Sequence, residues 1–176
     1  MKIFLNPGHG GKDPGAVGKN GTKEAQIVAE IAEILRKRLV LNYYPVEVYQ
    51  QEKSLAEVVR KENASKATIF ISIHCNSHKK PEAHGLEVWY YEGSHKGMQL
   101  ARIMQEQLVN GTGLTDRGIK SSAGLYVLRK TTAPAILIEL PFISNPIEEQ
   151  YLLSNKKKLA DCIWEAIKIY NRDGMI

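Results

Sequence analysis

Alternating strand-like and helix-like segments predict an α/β fold: a three-layer sandwich with a mostly parallel mixed sheet of about six strands, flanked by helices. Three observations carry this. The run TIFISIH at residues 68–74 is nearly all β-branched and apolar, the pattern of a strand buried on both faces. Amphipathic helical stripes separate such runs. Finally, the apolar runs at 2–5, 68–74 and 135–139 end at, or just before, His9, His74 and Glu139. Ligands of open α/β sheets bind outside the carboxyl ends of strands, so parallel, adjacent strands would gather these three groups at one edge.

In chain order, residues 2–5 read as a short strand and 7–21 as a glycine-rich loop. Thr22 is placed to cap a helix from about Lys23 to Leu41, with Ile27, Ile31, Ile34, Leu35 and Leu39 at helical spacing. Residues 45–49 alternate as a second strand, and Ser54 caps a helix ending around Asn63. After the strand at 68–74 comes a polar loop to His84, then a strand at 85–91. Ser94 opens a helix through about Val109, followed by a loop with Gly111, Gly113 and Gly118. Residues 125–128 and 135–140 read as strands, and Pro146 suits a first helical position. A closing helix carries Leu159, Ile163, Ala166, Ile167 and Tyr170.

At 176 residues the chain is read as a single domain over 1–176, long enough to bury a sizeable core. The 43% hydrophobic and 24% charged fractions are those of an ordinary globular protein rather than a disordered or fibrous one. No apolar run is long enough to span a bilayer, and no signal peptide is visible at the start. The net charge of +5 favours an anionic environment. The basic residues are dispersed and lack aromatic platforms, so nucleic acid is not expected as a partner. The densest basic cluster, Lys156 to Lys158, reads as the solvated start of a helix. Cys75 and Cys162 form neither a disulfide framework nor a metal spacing and read as buried small hydrophobes.

His9 and His74 offer two imidazoles from separate strand ends, and Glu24, on the first turn of the next helix, can swing to the same edge. Two histidines and a carboxylate form a zinc catalytic set that leaves a fourth position open. Glu139 can then move the protons that amide hydrolysis requires. Taken singly, each residue also has a structural reading: a hydrogen-bonded histidine, a first-turn acid favoured by the helix dipole, an odd acid in an apolar strand. GHGGKDPG has neither the order of a P-loop nor GxGxxG, which excludes a nucleotide site.

The wording and order of the segments say more. NPGHGGKDPGA at 6–16, Glu24, ENASKATIFISIHCNS at 62–77, GLEVWYY at 85–91, TDRGIKSSAGLYVLRKTTAPAILIEL at 115–140 and FISNPIEEQYLL at 142–153 resemble the zinc-dependent N-acetylmuramoyl-L-alanine amidases of the Amidase_3 type, nearly end to end. These are peptidoglycan hydrolases of autolysins, spore-associated amidases and phage endolysins. The resemblance implies one Zn2+ per chain, held by His9, Glu24 and His74, and Glu139 as the catalytic group. It implies a muropeptide substrate cut between the lactyl group and L-alanine, and action at the bacterial wall, outside the cytoplasm, with a wall-binding module separate or removed. Asn6 stands where many relatives have aspartate, Pro141 where glycine is common, and QQEKS at 50–54 lacks the family's usual Thr-Arg and aspartate.

Other residues stay open between two roles. Arg117 either holds the acidic stem peptide or braces a loop. Asn76 either contacts substrate or holds its turn. Glu87, between Leu86 and Val88, is expected to face solvent, and His78, His84 and His95 to lie on exposed loops. Two other functions use the same residues: a zinc peptidase acting on another amide, and a non-catalytic wall-binding module.

Overall fold

A computed structural model describes residues 1–174; residues 175 and 176, the end of the predicted domain, lie outside the described residues. The elements are β1 (Ile3–Pro7), α1 (Glu24–Leu41), β2 (Val46–Val48), α2 (Leu55–Ser65), β3 (Ile69–Cys75), β4 (Leu86–Tyr91), α3 (His95–Thr112), β5 (Asp116–Ser122), α4 (Tyr126–Lys130), β6 (Ala135–Leu140), α5 (Pro146–Ser154) and α6 (Lys156–Arg172). They build a six-stranded mixed sheet in the order β2-β1-β3-β6-β4-β5. Every neighbouring pair is parallel except β4 against β6. The predicted α/β sandwich is the observed architecture.

Strand alternation divides the core into two layers. On one face, Ile3, Leu5, Ile69, Ile71, Ile73, Ile136 and Ile138 pack with the stripes of α1, α3 and α6. On the other, Phe4, Phe70, Ala135 and Leu137 meet Val58 and Val59 of α2 and Val127 and Leu128 of α4. Cys75 and Cys162 are both buried in the first layer, as expected. Among the described residues, no helix is long and apolar enough to cross a membrane.

Helix ends follow local chemistry. Ser54 accepts from the Glu57 N–H, Ser94 from Gly97, and Asn145 from Ile147 and Glu148, with Pro146 at the helix start. α6 begins at Lys156, as the lysine cluster suggested. α2 and α3 run two and three residues further than expected, to Ser65 and Thr112.

Three expectations are corrected. Lys23, not Thr22, is the residue before α1, and its side chain makes no cap. Residues 125–128 are not a strand: Leu125 precedes the helix α4, which turns Val127 and Leu128 together into the second layer. Four apolar residues fit either period, and here tertiary packing decides. The sixth strand is instead β5, DRGIKSS, read as loop because it lacks apolar alternation. It is an edge strand paired only with β4 and mostly half-exposed, so polar side chains suit it.

Candidate metal centre and active site

β1 and β3 run in parallel, and the Gly8 N–H continues their ladder by donating to the Ile73 carbonyl (2.8 Å). The chain then turns through His9 in the left-handed region (φ 59°), which swings its ring back over β3. Two glycines make room. A Cβ on Gly8 would overlap the His74 ring, and one on Gly15 (φ +67°) would sit 2.7 Å from both Glu24 Oε2 and His9 Cδ2.

His9, Glu24 and His74 meet above the ends of β1 and β3, their candidate ligand atoms all within 4.8 Å of one another. His9 Nε2 lies 3.2 Å and His74 Nδ1 3.1 Å from the same oxygen, Glu24 Oε1. The rings stand edge to face with centroids 5.0 Å apart. The Glu24 carboxylate is fixed by backbone donors: Ala16 N–H to Oε2 (2.9 Å) and Cys75 N–H to Oε1 (3.0 Å). His9 Nδ1 faces Asp13 Oδ2 at 2.9 Å, and the Gly15 N–H donates to Asp13 Oδ1 (3.0 Å). In metal sites, such a carboxylate–histidine pairing orients the ring so that its other nitrogen faces the ion.

Burial disfavours the ionised form of Glu24, yet hydrogen bonds from His74 and His9 hold its carboxyl well below the usual range. His9 is pushed up to about 9, chiefly by its hydrogen bond to Glu24, against the effect of burial and with help from Asp13. Two imidazole nitrogens aimed at one buried carboxylate oxygen define a place for positive charge. Borderline nitrogen and oxygen donors suit zinc, so the residues fit the ion that the resemblance implied.

Glu139 is set by register: it is the direct partner of His74 on β3 and of Glu87 on β4. Directly paired residues share a face of a sheet, so the three form one row. Glu139 stays outside the three-residue cluster, and its half-buried carboxyl has no hydrogen-bond or ion-pair partner among the described residues. Burial, then the charges of Glu24 and Glu87, push it up to about 8, despite His9 and Lys120.

Glu87 does not face solvent; it is 5% exposed. Its Oε2 accepts from Arg117 Nε (2.7 Å) and Lys120 Nζ (2.6 Å), and its Oε1 from Trp89 Nε1 (3.1 Å). Asn76 holds its turn: its N–H donates to Leu140, its carbonyl accepts from Ile143, and its Oδ1 accepts from Ser77 N–H (2.9 Å). Asn6 is buried and lines the same cavity as His9 and His74, but its own hydrogen bonds go elsewhere, donating to the Tyr49 carbonyl (2.9 Å) and accepting from Ser72 Oγ (2.9 Å). It ties β1 to its neighbours rather than supporting a ligand. Gln50, in the divergent 50–54 stretch, donates to the Ala25 carbonyl (2.9 Å) at the start of α1. His78 and His84 are exposed loop residues, while His95 is exposed as the first residue of α3.

Sequence reasoning missed Asp13 and the Glu87–Arg117–Lys120 group. An acid four residues after His9 was the available signal for Asp13. Beside His9 and His74 lies a cavity of about 240 Å³, lined by Asn6, Asp13 and Gln51, by Leu55 and Tyr126 of α2 and α4, and by Leu137 of β6.

Comparison with known proteins bears on this arrangement. The family model described as N-acetylmuramoyl-L-alanine amidase, of the Amidase_3 type, matches residues 3–169. The amidase LytC of Bacillus subtilis is 33% identical over 178 residues, which cover 97% of this chain and 35% of LytC. The endolysin of Bacillus phage SPP1 is 36% identical over 170 residues, 90% of this chain and 60% of the endolysin. The chain therefore spans only part of the length of these two relatives. The crystal structure of an N-acetylmuramoyl-L-alanine amidase from Clostridium difficile 630 superposes with a TM-score of 0.89 at 31% identity, over 97% of this chain and 96% of that one. Since the matched segment takes in every strand and loop that carries the site, the chain belongs to the N-acetylmuramoyl-L-alanine amidase family.

Proposed function

We propose that residues 1–176 form a single catalytic domain, a zinc-dependent peptidoglycan hydrolase that cleaves the amide between the lactyl group of N-acetylmuramic acid and L-alanine of the stem peptide. The observation that carries this reading is His9 and His74 meeting on one oxygen of Glu24 while Glu139, register-paired with His74, has no hydrogen-bond or ion-pair partner among the described residues. His9, Glu24 and His74 would hold one zinc ion. When bound, zinc supplies a Lewis acid that polarises the amide carbonyl and acidifies water.

Glu139 does the proton work. Its carboxylate takes a proton from the attacking water as the new C–O bond forms. It returns that proton to the amide nitrogen as the C–N bond breaks, so the lactyl carboxylate and the L-alanine amine separate. Burial raises the Glu139 carboxyl in the metal-free protein, and a cation bound beside it would favour ionisation, so the group can accept a proton and then return it. Asp13 orients His9, and Leu55, Leu125 and Tyr126 give the site an apolar wall on one side.

Such an enzyme works at the bacterial wall, extracellularly or in the periplasm, in lysis or remodelling, with wall attachment left to a separate module. A zinc peptidase would use the same four residues on another bond of the wall peptide. A binding module would not need Glu139. Mass spectrometry of digested peptidoglycan, with and without chelator and zinc add-back, separates these. The expected products are stem peptides beginning with L-alanine, lost with chelator and with Glu139→Ala. Cuts elsewhere in the peptide would replace this reading with the peptidase, and intact wall despite bound zinc with the binding module.

A further inference from the structure

Beyond Glu139 in the strand order lies a group that the hydrolytic reaction itself does not use. Glu87 of β4 is buried, yet it draws two cations from β5 onto a single oxygen. Arg117 also lies over the Phe142 ring (5.0 Å to its centroid) and donates through Nη1 to the His84 carbonyl (3.3 Å). Lys120 lies over the Trp89 ring (5.3 Å). Both cations are thus held from two sides, while about a third of each side chain remains exposed (36% and 34%). One carboxylate against two cations leaves a net positive charge. Arg117 Nη2 and the remaining ammonium protons of Lys120 have no hydrogen-bond partner among the described residues.

Two arguments from different chemistry then agree on how substrate lies. The proton on Glu139 must reach the leaving nitrogen, so the peptide half departs on the β6 side of the His9–Glu24–His74 cluster. Going that way, the order β3-β6-β4-β5 leads past Glu139 to Glu87, Arg117 and Lys120. The stem peptide is acidic and the sugar half is not, so charge alone orients the substrate the same way.

The distances are compatible. Neighbouring strands lie about 4.8 Å apart, and one peptide residue spans at most about 3.6 Å. A carboxylate one residue beyond the leaving alanine therefore falls beside cations that converge on the strand next to Glu139.

We propose that Arg117 and Lys120, positioned by Glu87, form a carboxylate-binding subsite for the stem peptide on the leaving-group side of the scissile amide. This rests on the amidase reading above. Glu87 is a positioning residue, acting through the two cations. The competing explanation is a brace that fastens the edge strand β5 to β4; a brace would not distinguish one substrate from another.

The test uses N-acetylmuramoyl-L-alanyl-D-glutamate and its amidated counterpart, N-acetylmuramoyl-L-alanyl-D-isoglutamine. Each is titrated calorimetrically into Glu139→Gln protein, which binds without turnover, and kcat and KM are measured with the zinc-loaded wild type. The acid is expected to bind about tenfold more tightly than the amide, in the range of hydrogen bonds to charged groups, with the gap narrowing as salt rises. Lys120→Met should collapse that ratio, Lys120→Arg should restore most of it, and Glu87→Gln should reduce it through KM rather than kcat. Thermal melts check that the variants fold.

Equal binding of the two probes, or an undiminished preference in folded Lys120→Met, would overturn the subsite while leaving the amidase in place. Tighter binding of the acid without cleavage at the lactyl–alanine bond would do the reverse.

Discussion

Replacing Glu139 by Gln should stabilise the metal-free protein while removing its activity. Burial and the nearby charges of Glu24 and Glu87 push this carboxyl up to about 8, against 4.5 for the ordinary group. Between those values the folded chain keeps a proton that the unfolded chain releases, so stability falls as pH rises through the window and levels off above about 8. Below 4.5 both states hold the proton and nothing is lost. At pH 7 the penalty amounts to about 3 kcal/mol, since each pH unit inside the window adds roughly 1.4 kcal/mol. Gln has nearly the same shape and no proton to lose, so it escapes the penalty. For a chain of this size that corresponds to a melting temperature raised by roughly 6–12 °C. The assay is denaturation of chelator-treated wild type and Glu139→Gln from pH 4.5 to 8.5. The two stability curves should nearly meet at the acid end and diverge toward pH 8. Zinc should shrink the divergence, because a cation beside the carboxylate favours its ionised form. Parallel curves across the range would refute the claim that Glu139 is strained by its surroundings. The same variant should lose about 10²–10⁴-fold in activity as a missing general acid–base group.

Three further outcomes follow from the geometry. His9, pushed up to about 9, carries a proton that zinc must displace, so apparent zinc affinity should rise about tenfold per pH unit between 6.5 and 9. Competition against a chromophoric chelator measures this, and a flat profile would count against it. Asp13→Ala removes the partner of His9 Nδ1 and should weaken zinc binding by about 10–100-fold, read in the same titration. Gly8→Ala places a methyl group into the His74 ring, so zinc stoichiometry should fall while the far-ultraviolet dichroism of the folded sheet persists.

The strands legible in the sequence were those whose surroundings are uniform. β1, β3 and β6 are walled by apolar side chains on both faces, and their composition says so. β5 is at the edge, paired on one side, and its polar residues are indistinguishable from loop. That single omission produced a second one. Alternation placed Glu87 opposite Leu86 and Val88, which is correct, but without β5 nothing stood over that face except solvent. Arg117 and Lys120 come from the missing strand, so their ion pairs with Glu87 could not be anticipated. The metal cluster was legible for the opposite reason. His9, Glu24 and His74 are fixed by where β1, α1 and β3 start or stop, so element boundaries alone bring them to one edge. Asn6 shows the limit of motif reasoning: it neighbours the His9 loop in sequence, but its side chain points along the sheet to Tyr49 and Ser72.

The fold separates stability from chemistry by the parity of its strands. His74 pairs with Glu139, and the next residues, Cys75 and Leu140, also pair, but on the other face. That face is apolar along its length and carries α1, α3 and α6. The face of the second layer is apolar only through Phe4, Phe70, Ala135 and Leu137, then changes to His74, Glu139 and Glu87 in a row. A slip of one residue between β3 and β6 would put Glu139 among the isoleucines of the first layer and Leu140 against the histidines. Register is therefore held by the larger apolar layer, while the smaller layer ends early enough to leave three polar positions at the sheet's edge. Within that row the neighbours differ by design of their surroundings. Glu87 is kept ionised by two cations, and Glu139, with no cation paired to it among the described residues, is left reluctant to ionise. Two glutamates on adjacent strands thus take opposite protonation behaviour, one suited to holding charge in place and the other to moving a proton.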